Sequence, residues 1–238
     1  MSSGPVPDVI VPESAQILGT LNWLRAGVLG ANDGIVSTAA IIFGVAGASA
    51  THATVMLAGI AAVAAGAMSM AVGEYVSVST QRDLEDGVLA RQKADLARDP
   101  AGELAILTRL FEQRGVGSEL AAEVAKAMSD KDALSVHARA ELGIDPDNVT
   151  NPWAAGAASM FSFILGGAIP IAAMLLSPRS IEIVVAGGAV LVAMALTGFV
   201  SARLGRTPVW RSVARNVAGG LLALAITYGV GKIAGTQI

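Results

Sequence analysis

Five apolar stretches, residues 22–48, 52–80, 152–176, 181–202 and 212–234, set the strongest limit on what this chain can fold into. Each is as long as or longer than the ~20 residues a helix needs to cross the hydrocarbon core of a bilayer. Lipid offers no hydrogen bonds to the backbone, so segments of this kind span as helices. A composition of 53% hydrophobic and 15% charged residues leaves too little polar surface to clothe a soluble domain. The fold class expected is an all-α membrane protein with five transmembrane helices.

The charges are concentrated in one place. Between Arg82 and Asp147 lie nine of the sixteen Lys and Arg and fourteen of the nineteen Asp and Glu. A polar block of that length between the second and third apolar stretches reads as a helical lobe inserted between transmembrane helices 2 and 3. The expected organisation is a flexible N-terminal tail (1–20), helices 1 and 2 (21–80), the lobe (81–149) and helices 3 to 5 (150–238). The tail contains Pro5, Pro7 and Pro12 and no Lys or Arg, unlike the basic start of a signal peptide. Loop charge sets orientation: residues 49–51 have no cation and 178–180 only Arg179, whereas the lobe has nine and the last connection has Arg203, Arg206, Arg211 and Arg215. The N-terminus and lobe are therefore expected in the cytoplasm and the C-terminus outside, in the plasma membrane if the cell is a prokaryote.

Within the lobe, Leu84, Val88, Leu89 and Leu96 recur near helical spacing, so helix 2 should continue to Arg98. Asp99-Pro100 then supplies an N-cap and first residue for a helix ending near Arg114, before Gly115 and Gly117. Ser118 should open the next helix and Ser129 or Asp130 a further one, which Gly143 and Pro146 close.

Ionisable residues inside apolar stretches are the most informative positions. Asp33 lies in Gly30-Ala-Asn-Asp-Gly34, well within the first stretch. A carboxylate at that depth costs at least ~2.5 kcal/mol unless water, a partner or a cation accompanies it. It either marks an ion path or only hydrogen-bonds Ser37 or Asn32 to fix packing. Gly30 and Gly34 have the small-residue spacing that lets helices approach closely. On the second helix Met70 and Glu74 are four apart and share a face. A thioether above a carboxylate suits a borderline divalent ion such as Fe²⁺; alternatively Met70 fills a gap and Glu74 reaches for the interface.

Several function classes are disfavoured. The net charge of −3 and the lack of a basic stripe argue against nucleic acid as a partner. There is no cysteine, and no His-Glu-x-x-His, Gly-x-Ser-x-Gly or Glu-x-x-His, which argues against an enzyme. Any metal chemistry must use carboxylate, imidazole, thioether and carbonyl donors.

The segments Leu29-Gly-Ala-Asn-Asp-Gly-Ile-Val-Ser37 and Ala65-Gly-Ala-Met-Ser-Met-Ala-Val-Gly-Glu-Tyr75 resemble the first two helices of vacuolar iron transporters, and Gly166-Gly-Ala-Ile-Pro170 resembles their third. The likeness extends over residues 23–231. It implies a homodimeric antiporter, without a cofactor, that moves Fe²⁺ and in many relatives Mn²⁺ out of the cytoplasm in exchange for protons. Asp33 and Met70 match the family's intramembrane metal path. Glu74 points to a prokaryotic-like branch, and Ala62 stands where plant-like members carry an acid. In the lobe, Asp95, Glu103, His137 and Glu141 match a metal-binding set, but Gln92 and Ile106 occupy two positions where acids are expected. That thinner set implies weaker or fewer sites. His52, at the first external turn, is expected to be solvated. The resulting mechanism pairs two copies through Gly30 and Gly34, with lobe-gathered cations passing Glu74 to a path lined by Asp33 and Met70. The alternative is a membrane-bound carboxylate–metal protein acting as a metal sensor or oxidase.

Overall fold

The computed structural model describes residues 12–146 and 151–236, and side chains from residue 26 onward. Its elements are α1 (Pro12–Gly47), α2 (His52–Arg98), α3 (Pro100–Gln113), α4 (Ser118–His137), a π-helical turn (Ala138–Leu142), α5 (Pro152–Leu175), α6 (Glu182–Leu204) and α7 (Val209–Gly235). Five of them are long and apolar enough to cross a membrane: α1 from Ala26, α2, α5, α6 and α7. Residues 12–20, expected in the tail, belong to α1, because proline in a first turn forfeits only an N–H that has no intrahelical partner. Residues 1–11 of the expected tail lie outside the described residues. Contacts divide the chain into two compact units, Leu21–Val76 with Pro152–Ile238 and Met1–Thr20 with Ser77–Asn151.

In the membrane unit α1 is the central helix. Ile35 and Ala39 pack with Val190, Ala193 and Met194 of α6 and Leu224 of α7. Ile42 packs with Val55 and Met56 of α2, Met174 of α5 and Ala186 of α6. Burying these side chains away from lipid tails releases no water, so the stability comes from close packing. Glycines provide it. A Cβ on Gly34 would strike the Phe163 carbonyl, and one on Gly30 would come within 2.6 Å of the Ser159 carbonyl. Phe163, 1% exposed, also sits over Gly66 of α2. Gly44 of α1 likewise meets Gly231 of α7 backbone to backbone. The face of α1 bearing Gly30 and Gly34 is thus filled by α5 of the same chain. This corrects the expectation that those glycines meet a second copy, since close-approach spacing does not specify which helix approaches.

Pro170 is buried inside α5 and lacks the N–H that would bond the Gly166 carbonyl. Beside that gap, a Cβ on Gly167 would meet the Thr38 hydroxyl and Val63, so the small-residue segment brings α5 close to both α1 and α2.

The lobe consists of the C-terminal part of α2 with α3, α4 and the π-helical turn. Asp99 caps α3, its Oδ1 accepting from Gly102 N at 2.9 Å, and Gly115 at φ 93° follows the helix end. α4 begins at Ser118, but its interruption is at Asp132 (φ −160°, ψ 86°), not at Ser129 or Asp130. The reason is local: Asp132 Oδ1 accepts from Ser135 N at 3.0 Å and caps the second half of the helix. The core here is small, with Leu107, Ala121, Ala125 and Ala138 fully buried. His137 is enclosed among them at 0% exposure.

Candidate metal centre

His137 reaches the lobe interior because it is the last residue of α4, and the π-helical turn that follows carries Glu141 back beneath it. A π turn widens the helix at one point and re-aims its side chains. Arg114 Nη2 donates to the Ala140 carbonyl, tying the turn to the end of α3, and Gly143 at φ 67° ends it. His137 Nδ1 lies 2.6 Å from Glu141 Oε1 and 3.7 Å from Glu103 Oε2 of α3. With ionised carboxylates as partners, Nδ1 carries the hydrogen and donates. The other ring nitrogen, Nε2, is buried without a hydrogen-bond partner, so all polar contacts of this imidazole run through Nδ1.

One donor atom from each of Glu103, His137 and Glu141 lies within 4.8 Å of the others, and no other trio of His, Asp or Glu among the described residues does so. Bonds of about 2.1 Å to a shared ion hold donors at most about 4.2 Å apart; for an ion to bind through Nδ1, that nitrogen must give up its hydrogen and the 2.6 Å contact with Glu141 Oε1 must open. Imidazole with two carboxylates is a borderline donor set, suited to divalent first-row metals. Two anionic carboxylates and a neutral imidazole match the charge of one divalent ion.

The fourth member of the cluster is one that sequence reading sets aside. Gln92, 9% exposed on α2, donates from Nε2 to Glu103 Oε2 at 2.8 Å. Having no charge, it gives no signal as a ligand; its only clue is a polar residue among the lobe's apolar repeats. Asp95, expected in the set, is half exposed and pairs with Arg98 Nη2 at 2.7 Å, outside the trio. Ile106 is exposed.

In the membrane unit Asp33 is partly buried, and its Oδ1 accepts from the Ser37 hydroxyl at 2.7 Å. Leu29, Asp33, Ser37 and Ile41 follow one another every fourth residue, and Leu29 and Ile41 are 52% and 43% exposed. At about 100° of turn per residue, Asp33 therefore lies on a partly exposed stripe of α1 that flanks the one bearing Gly30 and Gly34. Asn32 takes a weak 3.5 Å contact from Thr197 of α6 instead. Met70 and Glu74 lie on the partly buried stripe of α2 with Ala67, Ala71 and Tyr75, while Met68, Val72 and Val76 are exposed. Tyr75 packs against Trp153 with the rings tilted by 51° and their centroids 4.6 Å apart, and Trp153 is 73% exposed. Aromatic rings of this kind are enriched at the membrane–water interface, and Glu74 is the residue before Tyr75.

His52, expected to be solvated, is instead held by Glu182 at the start of α6. Nδ1 and Oε2 are 2.7 Å apart, and the two side chains are 18% and 12% exposed. The pairing joins residues 130 apart in sequence, beyond the reach of any local pattern. The one hint is that Glu182 is among only five acids outside the lobe.

The chain is 43% identical over 234 residues to a vacuolar iron transporter of Acanthamoeba castellanii, covering 98% of this chain and 87% of that protein. It is 35% identical over 224 residues to vacuolar iron transporter homolog 5 of Oryza sativa subsp. japonica, covering 94% and 86%. It is 33% identical over 216 residues to vacuolar iron transporter homolog 1 of Arabidopsis thaliana, covering 90% and 84%. Residues 24–232 match the VIT family, and the chain belongs to that family.

Proposed function

We propose that this protein carries a divalent transition metal, Fe²⁺ or Mn²⁺, out of the cytoplasm in exchange for protons, as a homodimer with its lobe in the cytoplasm. The observation that carries the reading is the Glu103–His137–Glu141 trio, two partly buried carboxylates around a buried imidazole, a set of borderline donors with the net charge of a single-cation site. The names of the relatives support metal as the cargo. In the membrane the working groups are Asp33, Met70 and Glu74. Asp33 lies on a stripe whose neighbours Leu29 and Ile41 are exposed, and a carboxylate facing lipid alone is costly. A second copy meeting that stripe, rather than the glycine stripe, gives Asp33 a protein-lined surrounding. Met70 adds a soft donor that favours Fe²⁺ over Ca²⁺. Proton coupling follows from competition, because a metal ion and a proton seek the same donor atoms.

The test is transport in proteoliposomes under a pH gradient, with Fe²⁺, Mn²⁺, Zn²⁺ and Ca²⁺ offered in turn. Asp33→Asn keeps the shape and an acceptor oxygen but removes the charge and the proton site. We expect this variant to insert and fold normally while metal-driven proton movement falls to background. Met70→Ala should give a milder, metal-selective loss. Normal proton-coupled uptake by the Asn variant would overturn the mechanism, and saturable metal binding without any flux would favour a sensor or oxidase.

A further inference from the structure

Outside the lobe the chain has seven Lys and Arg, and four of them, Arg203, Arg206, Arg211 and Arg215, fall within thirteen residues around the turn between α6 and α7. All four are exposed, and none has a carboxylate partner among the described residues. The last acidic residue of the sequence is Glu182, at the opposite end of α6. Because α6 and α7 are both membrane spans, their connecting turn lies at the membrane surface. Aromatic rings mark the same level. Trp210 is 69% exposed with the Arg211 guanidinium 5.4 Å from its ring, and Arg203 lies 5.1 Å from the ring of Phe199.

Two details go beyond what membrane orientation requires. Orientation needs positive charge alone, which lysine supplies as well as arginine. The lobe mixes both, yet all four residues at this turn are arginine, whose planar fork matches phosphate oxygens. Arg206 also adopts φ 49°, a left-handed conformation that glycine takes without strain. It follows Gly205 directly, and Thr207 N closes the turn by donating to the Ala202 carbonyl at 3.0 Å. A strained arginine at the tip places one more guanidinium where a glycine would fit better.

We propose that the α6–α7 turn is a binding site for anionic phospholipid headgroups, with the four guanidiniums gripping the phosphate and Trp210 setting the depth. Zwitterionic headgroups carry a cation that faces the same arginines unfavourably, so the site distinguishes lipids by net charge. The test uses full-length protein reconstituted in equal parts of phosphatidylcholine and phosphatidylglycerol, then extracted in mild detergent, with retained lipids counted by native mass spectrometry. Each arginine near an anionic surface is worth about fivefold in partitioning. Wild type should retain phosphatidylglycerol in excess over phosphatidylcholine, and Arg203→Gln/Arg206→Gln/Arg211→Gln/Arg215→Gln should lose that excess. Arg206→Gly is the guard against misfolding: it relieves the strained φ, so thermal stability should hold or rise while retention falls about fivefold. Unchanged phosphatidylglycerol excess in either variant overturns the proposal. So does displacement of the lipid by inorganic phosphate, which would make the turn a site for soluble anions.

Discussion

The membrane unit and the lobe achieve close packing by opposite means. In the membrane unit the tightest contacts occur where side chains are missing, as at Gly34 against Phe163 and Gly44 against Gly231. In the lobe, a Cβ added at Gly87 would meet nothing within 4 Å, and the interior is alanine, one leucine and a polar cluster of buried Gln92 and His137 with partly buried Glu103 and Glu141. The contrast follows from solvent. Lipid gives no reward for burying an apolar side chain, so backbones must touch to gain dispersion energy. Water does reward it, so the lobe can use a small core and spend part of it on polar groups, provided these pair with one another. Substitutions at glycine should therefore damage one unit, and substitutions of polar groups the other.

The largest expected effect tests the first half of this contrast. Gly34→Leu drives a side chain into the Phe163 backbone, where no rotamer offers escape. The destabilisation should reach about 3 kcal/mol, the upper range for overpacking, and the protein should lose its single peak in detergent size exclusion. Gly87→Leu, on an exposed helical position with open space, should be neutral or slightly stabilising, because glycine in a helix costs about 1 kcal/mol. Equal tolerance at both positions would remove the distinction.

The second prediction addresses the polar cluster. Glu141→Gln preserves the shape beside His137 but leaves a single carboxylate for a cation. Mn²⁺ affinity of the full-length protein should fall at least about tenfold, or about 1.4 kcal/mol, by calorimetry. Transport should weaken without vanishing, in contrast to Asp33→Asn. Unchanged affinity would return the trio to an ordinary buried hydrogen-bond cluster.

Smaller still is the effect expected at Asp132, whose side chain caps the second half of α4 from within the helix. Asp132→Ala should cost about 1 kcal/mol. Because the capped segment leads into His137, metal-induced stabilisation should shrink as well. Thermal shift with and without Mn²⁺ separates the two effects, and a fall in melting temperature with an unchanged metal increment would restrict Asp132 to folding.

These cases show what could be read in advance. The five spans are legible because hydropathy averages over twenty or more residues, and the start of α3 because Asp99-Pro100 combines two independent signals. The break in α4 is harder, since Ser129, Asp130 and Asp132 all have oxygens able to cap and only the fold selects among them. Gly30 and Gly34 announce a close neighbour without naming α5. His137 and Glu141 have the spacing of countless solvated helix pairs. What sets them apart is the burial of His137 and the approach of Glu103 from α3, both tertiary facts. Gln92 is the extreme case, a neutral residue whose part in the cluster appears only through its hydrogen bond.

Gln92 also allows the finest test, because one substitution should move two states of the lobe in opposite directions. In the wild type its amide donates to Glu103 Oε2 at 2.8 Å, which neutralises no charge but satisfies an acceptor and orients the carboxylate. Gln92→Glu replaces the donor with a third carboxylate in a site that is largely out of water. Without metal the two acids repel, and at an effective dielectric near that of a protein surface the cost is of order 1–3 kcal/mol after relaxation. With a divalent ion present the new carboxylate becomes a ligand, so the same change should tighten binding. The melting temperature of the full-length variant should thus fall below wild type without metal, and its rise on adding Mn²⁺ should exceed that of wild type. A parallel fall in both conditions would mean that Gln92 only packs against Glu103. A larger increment would mean that the glutamine limits how strongly this lobe holds its cation.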